Sequence, residues 1–258
     1  MGWWSTIKIK LVRGSHGLTQ TRRQALEERC DPRIRFDRLK QALLQQVAAG
    51  VVYEVTPEDL GKGVANAVVE DTHYLLGCLT YSPPEGVDVE SLTATHGPLF
   101  ELLAFAVCTY EVTLLPHVPR LEFRGVIATS IRHHALAMVT ASLDRADDAH
   151  FRSTGEAVLH DRLSEYYGIL AGKTDHFALL GIEELRCVEE DWYFRTTALA
   201  YATLRNVCHL ARQPTLLESI GPTLHRHFTS MEELVPMQVS MITLKPSAWD
   251  VGLLPAGE

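Results

Sequence analysis

The chain has 258 residues, which suits one large domain or two small ones. Hydrophobic residues make up 46% of it and charged residues 22%, so wholesale disorder and a fibrous repeat are excluded and a packed core is expected. The net charge of -8 at pH 7 argues against a protein that binds nucleic acid over its whole surface.

The positive charge is concentrated near the start of the chain. Residues 8–40 hold ten Lys and Arg against four Asp and Glu, a local charge of +6, so the remainder carries -14. This divides the chain into a basic arm, residues 1–50, packed on a helical body, residues 51–258, although one continuous domain fits the pattern as well. An acidic body behind a basic arm indicates that the arm contacts an anionic surface, on a partner or on the body itself. The predicted contact residues are Arg22, Arg23, Arg35 and Arg38.

The arm is predicted to begin with a strand and continue as two helices. Residues 7–11 alternate as a half-buried strand does. Helical periodicity follows at residues 19–30 and again at residues 32–50, with a proline between the two helices and Gly50 at the end. If reversing the four arginines to glutamate left partner binding unchanged, the contact surface would lie in the loop at residues 81–97 or in the carboxy-terminal strand.

The body opens with a short strand and a long helix. Residues 51–55 are β-branched and apolar, which predicts a strand. Thr56 followed by Pro57 is a good helix start, with a hydroxyl cap and a proline at the first helical position. The helix should reach about Leu79 and carries Asp71 where its apolar stripe would continue.

The most apolar part of the chain is predicted to be a core helix. Residues 98–116 lie between two prolines and carry Glu101 and Glu111. Two carboxylates in a span that barely reaches bilayer length are costly in lipid, so we interpret the segment as a buried helix rather than a membrane helix. Residues 117–124 are expected to include a brief strand.

The rest of the chain is predicted to be helical up to a final strand. Helical periodicity continues at residues 125–143, 149–171 and 183–212. A last helix passes through Leu224 and Phe228, and the alternation of residues 235–241 predicts the carboxy-terminal strand. The expected fold is therefore mainly α, a multi-helix globular body with a few short strands near the termini that pair with each other or with residues 51–55.

Few residues in the sequence indicate a catalytic, cofactor-binding or metal-binding role. Nucleotide-binding and nucleophile-elbow glycine motifs are absent from the sequence, and we expect no cofactor. Glu70 and His73 have the Glu-x-x-His spacing of di-iron carboxylate bundles, but the second copy that such a bundle needs is missing. They are the candidate metal ligands of an alternative interpretation. Asp71 and His134 each occupy an apolar stripe, so we expect both to be buried and hydrogen-bonded, to one another or to separate polar groups.

The chain is expected to work inside the cell. Its five cysteines are widely spaced and none forms a Cys-x-x-Cys pair, which is typical of reduced structural thiols. The first residues lack the features of a secretory signal, so a cytoplasmic location is expected. Trp3 and Trp4 could contact a membrane surface, although burial against the body is favoured.

Helices are well specified by this sequence and a catalytic set is not. The preferred function is therefore a non-enzymatic helical interaction protein: a regulator, chaperone, adaptor or inhibitor of a partner protein. One alternative is a metal-dependent enzyme that uses helical His and carboxylate residues. A second is nucleic-acid binding through the basic arm.

Overall fold

The computed structural model describes residues 32–81, 96–143, 148–173, 192–208 and 221–246. In these ranges the chain forms α1 (Pro32–Ala48), β1 (Tyr53–Val55), α2 (Pro57–Tyr81), α3 (Gly97–Leu114), a 3-10 turn (Leu115–His117), α4 (Leu121–Ser142), α5 (Ala149–Leu170), α6 (Trp192–Cys208), α7 (Gly221–Ser240) and β2 (Ile242–Leu244). The prediction of a mainly helical body with short strands is confirmed. The predicted strand at residues 7–11, the first arm helix and most of the loop at residues 81–97 lie outside the described residues.

Helix α3 is the centre of the core. Helices α2, α5, α6 and α7 pack around it, and Leu102 and Phe105 are fully buried. By length and composition alone Gly97–His117 could cross a membrane, since its mean hydropathy is 1.5, but 89% of its most apolar window is buried inside the protein. The prediction of a buried core helix is confirmed.

Local signals set several helix ends. The Asp59 N–H donates to Thr56 Oγ1 at 3.2 Å, which caps α2 as predicted. The Phe151 N–H donates to Asp148 Oδ1 at 3.0 Å and caps α5 in the same way. Gly50 and Gly172 follow α1 and α5 with φ of 65° and 71°, a left-handed backbone that glycine adopts without strain.

The two strands form a small parallel sheet. Tyr53 pairs with Ile242, and the Tyr53 N–H donates to the Met241 carbonyl oxygen at 2.8 Å. At the other end of the strand pair, the Lys245 N–H donates to the Val55 carbonyl oxygen at 2.9 Å. The strand that follows the last helix thus pairs with the strand predicted at residues 51–55, as expected.

Two predicted strands are wrong. Residues 235–239 belong to α7, where Met231, Leu234 and Val235 are buried at helical spacing, and the strand starts only at Ile242. Residues 117–124 hold the end of the 3-10 turn and the start of α4 instead of a strand. Pro119 lacks the N–H that a strand ladder needs, which favours a turn in this segment.

Candidate functional site

Asp71 lies in the core on α2 and is contacted by side chains from three other helices. Its side chain is 1% exposed and forms an ion pair through Oδ1 with Arg35 of α1. The Tyr110 hydroxyl of α3 donates to Oδ2 at 3.0 Å, and Nε2 of His227 of α7 lies 3.4 Å from the same oxygen. The Arg35 guanidinium also lies over the Tyr74 ring, 4.2 Å from its centroid. Asp71 is therefore buried and hydrogen-bonded, as predicted, and it links four helices.

The surroundings of Asp71 fix the protonation of its neighbours. Burial raises the pKa of the Tyr110 hydroxyl, and the Asp71 charge raises it further, so Tyr110 stays a donor. Burial lowers the pKa of His227, against the opposing effect of Asp71 and together with the charge of Arg35. The cavity beside the cluster measures about 10 Å³, which leaves no room for a substrate. This arrangement is suited to holding helices together.

The neutral state of His227 makes stability depend on pH. A histidine whose pKa is lowered in the fold takes up its proton first in the unfolded chain, so the stabilisation present above about pH 6.5 is lost as the pH falls below it. We expect the free energy of unfolding in urea to fall from pH 7 to pH 5, and His227→Gln to make that fall smaller. His160→Gln, at an 86% exposed side chain, is the control. Equal falls in wild type and His227→Gln would refute this assignment.

Two further carboxylates are buried on α3, and each is bound by an arginine. Glu111 accepts from Arg132 Nε at 2.7 Å and Nη2 at 2.6 Å, and from the hydroxyl of Tyr167. Glu101 accepts from Arg162 Nε at 2.7 Å on Oε2 and 2.9 Å on Oε1. Both pairs join α3 to neighbouring helices. Buried carboxylates held in this way act as structural links, since removing one partner leaves an unpaired charge in the core.

The buried thiols are poor nucleophiles. Burial raises the pKa of Cys208 to about 11 and raises that of Cys108 further above its usual range. The nucleophile in cysteine chemistry is the thiolate, so a raised pKa makes a thiol inert near neutral pH. These two cysteines therefore serve as small apolar side chains, as the sequence predicted.

The prediction that His134 is buried is wrong, and of the two alternatives for Asp71 the structure has the one with separate polar partners, Arg35 and Tyr110. The His134 imidazole is half-exposed and its ring lies edge-on to that of His133, with centroids 5.3 Å apart. Ala135 takes the buried position on α4 instead, one turn after Ile131. His134 lies three residues after Ile131 and Ala135 lies four residues after it. Both spacings continue a helical stripe, so the sequence pattern alone does not show which of the two side chains is buried.

Among the described residues, no third metal ligand joins the predicted ligands Glu70 and His73. Glu70 is exposed and His73 is half-buried, and burial lowers the pKa of His73. Within the described ranges there is no group of three or more His, Cys, Asp and Glu side chains that could hold a metal ion. The structure adds no ligand to the Glu-x-x-His pair.

The predicted contact arginines have different environments. Arg22 and Arg23 lie outside the described residues. Arg35 is turned inward onto Asp71, so this member of the predicted surface is an internal ion pair. Arg38 is exposed on the same helix. The arm helix α1 thus uses two of its cations, Arg35 and Lys40, in ion pairs with Asp71 and Glu233 of the body, which is one of the two roles that its charge predicted.

A groove of about 460 Å³ lies between the start of α4 and the junction of α7 with β2. This volume is within the usual range for ligand pockets. Most of its lining is apolar and includes Leu60, Val118, Phe123, Val239, Ile242 and Leu244. The groove is built from segments that are far apart in the sequence, and it borders the small parallel sheet.

The rim of the groove is cationic. His117 and Arg120 line it and both are exposed, and the described residues that line it include no Asp or Glu. The Arg120 guanidinium lies over the Phe123 ring, 5.2 Å from the centroid. The next residue, Leu121, is 72% exposed, which is a high value for an apolar side chain beside a groove. The geometry is that of an apolar binding surface with a positive edge.

Comparison with known proteins adds no relative. The chain matches no protein-family model, and neither a curated protein nor a solved structure shows significant similarity to it.

Proposed function

We propose that the protein is a non-enzymatic helical interaction protein that binds a partner protein through the groove beside β2. The observation that carries this proposal is an open apolar groove with Arg120 at its rim and, next to Arg120 in the chain, an exposed Leu121. Apolar surface rimmed by polar groups is characteristic of protein-binding sites. A regulator, chaperone, adaptor or inhibitor would use such a surface.

The buried ionisable groups also favour binding over catalysis. Asp71, Glu101 and Glu111 are each held by an arginine, and the cavity beside Asp71 is about 10 Å³. A general acid or base must reach a substrate, and these carboxylates are directed at other side chains of the core. Among the described residues, the metal-dependent alternative is supported by Glu70 and His73, which no third ligand joins.

A cytoplasmic location fits this proposal. Cys108 is fully buried in apolar surroundings and Cys208 is partly buried, so both behave as reduced structural thiols. A partner in the same reducing compartment is the natural target of the groove.

Site-specific photo-crosslinking tests the proposal. We expect a benzophenone amino acid at position 121, next to the rim residue Arg120, to give a discrete adduct with a partner protein in cells that express the chain. The matched control is position 157, an exposed alanine on α5 away from the groove. Arg120→Glu should reduce the adduct, because it reverses the charge of the rim. Equal labelling from positions 121 and 157, or none from either, would rule out the groove as the partner site.

A further inference from the structure

The outer edge of β2 has backbone groups that the small sheet does not use. In the parallel register, both the N–H and the carbonyl of Thr243 face β1, between the bonds that Met241 and Lys245 make to the same strand. Because these directions alternate along a strand, the N–H and carbonyl groups of Ile242 and Leu244 face away from β1. Both of these residues also line the groove. Among the described residues no other strand pairs with this edge.

We propose that the groove receives an extended acidic segment of the partner, which adds to β2 as a third strand. This rests on the proposed function and names the chemistry of the partner. An unpaired strand edge is a template for strand addition, in which main-chain hydrogen bonds give affinity and pockets for alternate side chains give specificity. Here Ile242 and Leu244 supply the edge, and the apolar lining takes the side chains that face the body.

The charge of the groove determines the kind of segment. Arg120 is the charged side chain among the described residues of the lining, and it lies at the rim beside the exposed His117. The chain as a whole carries -8, so an acidic segment is repelled over most of the surface and attracted at this edge. A carboxylate that reaches Arg120 can accept charge-assisted hydrogen bonds from its guanidinium. An extended segment with an Asp, a Glu or a terminal carboxylate therefore fits both features of the site.

Selection from a library of random heptapeptides, displayed with free carboxyl ends, tests the proposal on the full chain. We expect enrichment of acidic sequences in which every second residue is β-branched or aromatic. The enriched peptide, synthesised with a fluorophore, should bind the protein in a polarisation titration. Arg120→Glu should weaken its binding at least about tenfold. Arg226→Glu makes the same charge change at an exposed position of α7 outside the groove and should leave binding unchanged.

A proline at position 244 separates strand addition from simple burial in the groove. The Leu244 N–H faces away from β1, so Leu244→Pro removes a donor from the free edge and keeps the bonds to β1. Leu244→Ala removes the side chain and keeps the donor. We expect the proline variant to bind the selected peptide at least about tenfold more weakly than the alanine variant. Should Leu244→Pro fail to fold, N-methylation of alternate peptide residues removes the ligand N–H groups that would donate to the Ile242 and Leu244 carbonyls, and so tests the same strand edge from the ligand side.

The outcomes distinguish this inference from the proposed function. Equal binding by Leu244→Pro and Leu244→Ala, or by the methylated and unmethylated peptides, overturns strand addition. Enrichment of basic peptides, or of none, overturns the acidic segment. In both cases an adduct from position 121 would leave the partner-binding function standing. A dimer in sedimentation equilibrium that Leu244→Pro converts to a monomer would assign the edge to a second copy of the chain and overturn the proposal.

Discussion

Replacing Arg35 by methionine is expected to lower the free energy of unfolding by about 3 to 5 kcal/mol, because the Asp71 carboxylate is left in the core without its cation. Asp71 is 1% exposed, so water cannot take the place of the guanidinium. Tyr110 still donates to Oδ2, but a neutral donor does not balance a charge. Methionine keeps much of the length of the arginine side chain, so the loss reports mainly on the ion pair. Urea denaturation followed by circular dichroism measures it.

Arg38→Met is the matched control for this prediction. Arg38 is exposed on the same helix, so its replacement should change the free energy of unfolding by no more than about 0.5 kcal/mol. The double variant Arg35→Met/Asp71→Asn should recover part of the loss, because the buried charge that lacks a partner is gone. If Arg35→Met and Arg38→Met are equally stable, the Arg35 ion pair contributes nothing in solution, and α1 must be held by its other contacts, the apolar ones and the Lys40–Glu233 ion pair.

The signals that predicted the fold correctly are local ones. Thr56 and Pro57 mark the start of α2 because capping and proline preference act within one helical turn. The apolar composition of residues 98–116 predicts α3 because a helix that is hydrophobic all round has to be buried. Gly172 ends α5 because its φ of 71° is costly for other residues. None of these signals needs knowledge of the neighbouring elements.

The errors arise where two local patterns fit the same residues. Val235, Met237 and Val239 alternate with other residues as in a strand, yet Met231 and Leu234 lie on the buried face of α7 and continue the helix. Pro236 lies inside this helix, at a position where proline is usually costly. On α4, a shift of one residue moves His134 off the buried stripe. Packing against the rest of the body decides such cases.

The candidate site could be predicted only in part. The burial of Asp71 is predictable because a carboxylate in an apolar stripe needs polar partners. Its partners in the structure come from α1, α3 and α7 and lie 36 to 156 residues away in the sequence. The groove could not be predicted at all, since His117 and Arg120 meet Ile242 and Leu244 only through the fold. No spacing rule links residues that are so far apart in the sequence.

Gly61 and Gly63 lie two residues apart on α2. Replacing each by alanine should change the free energy of unfolding in opposite directions. A Cβ on Gly61 would lie 2.6 Å from the Ser130 Oγ and 3.0 Å from the Ile127 carbonyl oxygen, both on α4. A Cβ on Gly63 meets nothing within 4 Å. Helices α2 and α4 form the most extensive helix pair among the described residues, so Gly61 sets how closely they approach.

We therefore expect Gly61→Ala to lower the free energy of unfolding by about 2 to 3 kcal/mol, because the added methyl group forces two packed helices apart. Gly63→Ala should raise it by about 0.5 to 1 kcal/mol, because alanine loses less backbone freedom than glycine when a helix forms. Denaturant unfolding of the two variants beside wild type measures both changes. Adding Ser130→Gly to Gly61→Ala removes the nearest clash and should return part of the lost stability. If Gly61→Ala stabilises the protein as Gly63→Ala does, α2 and α4 lie farther apart in solution than this packing requires.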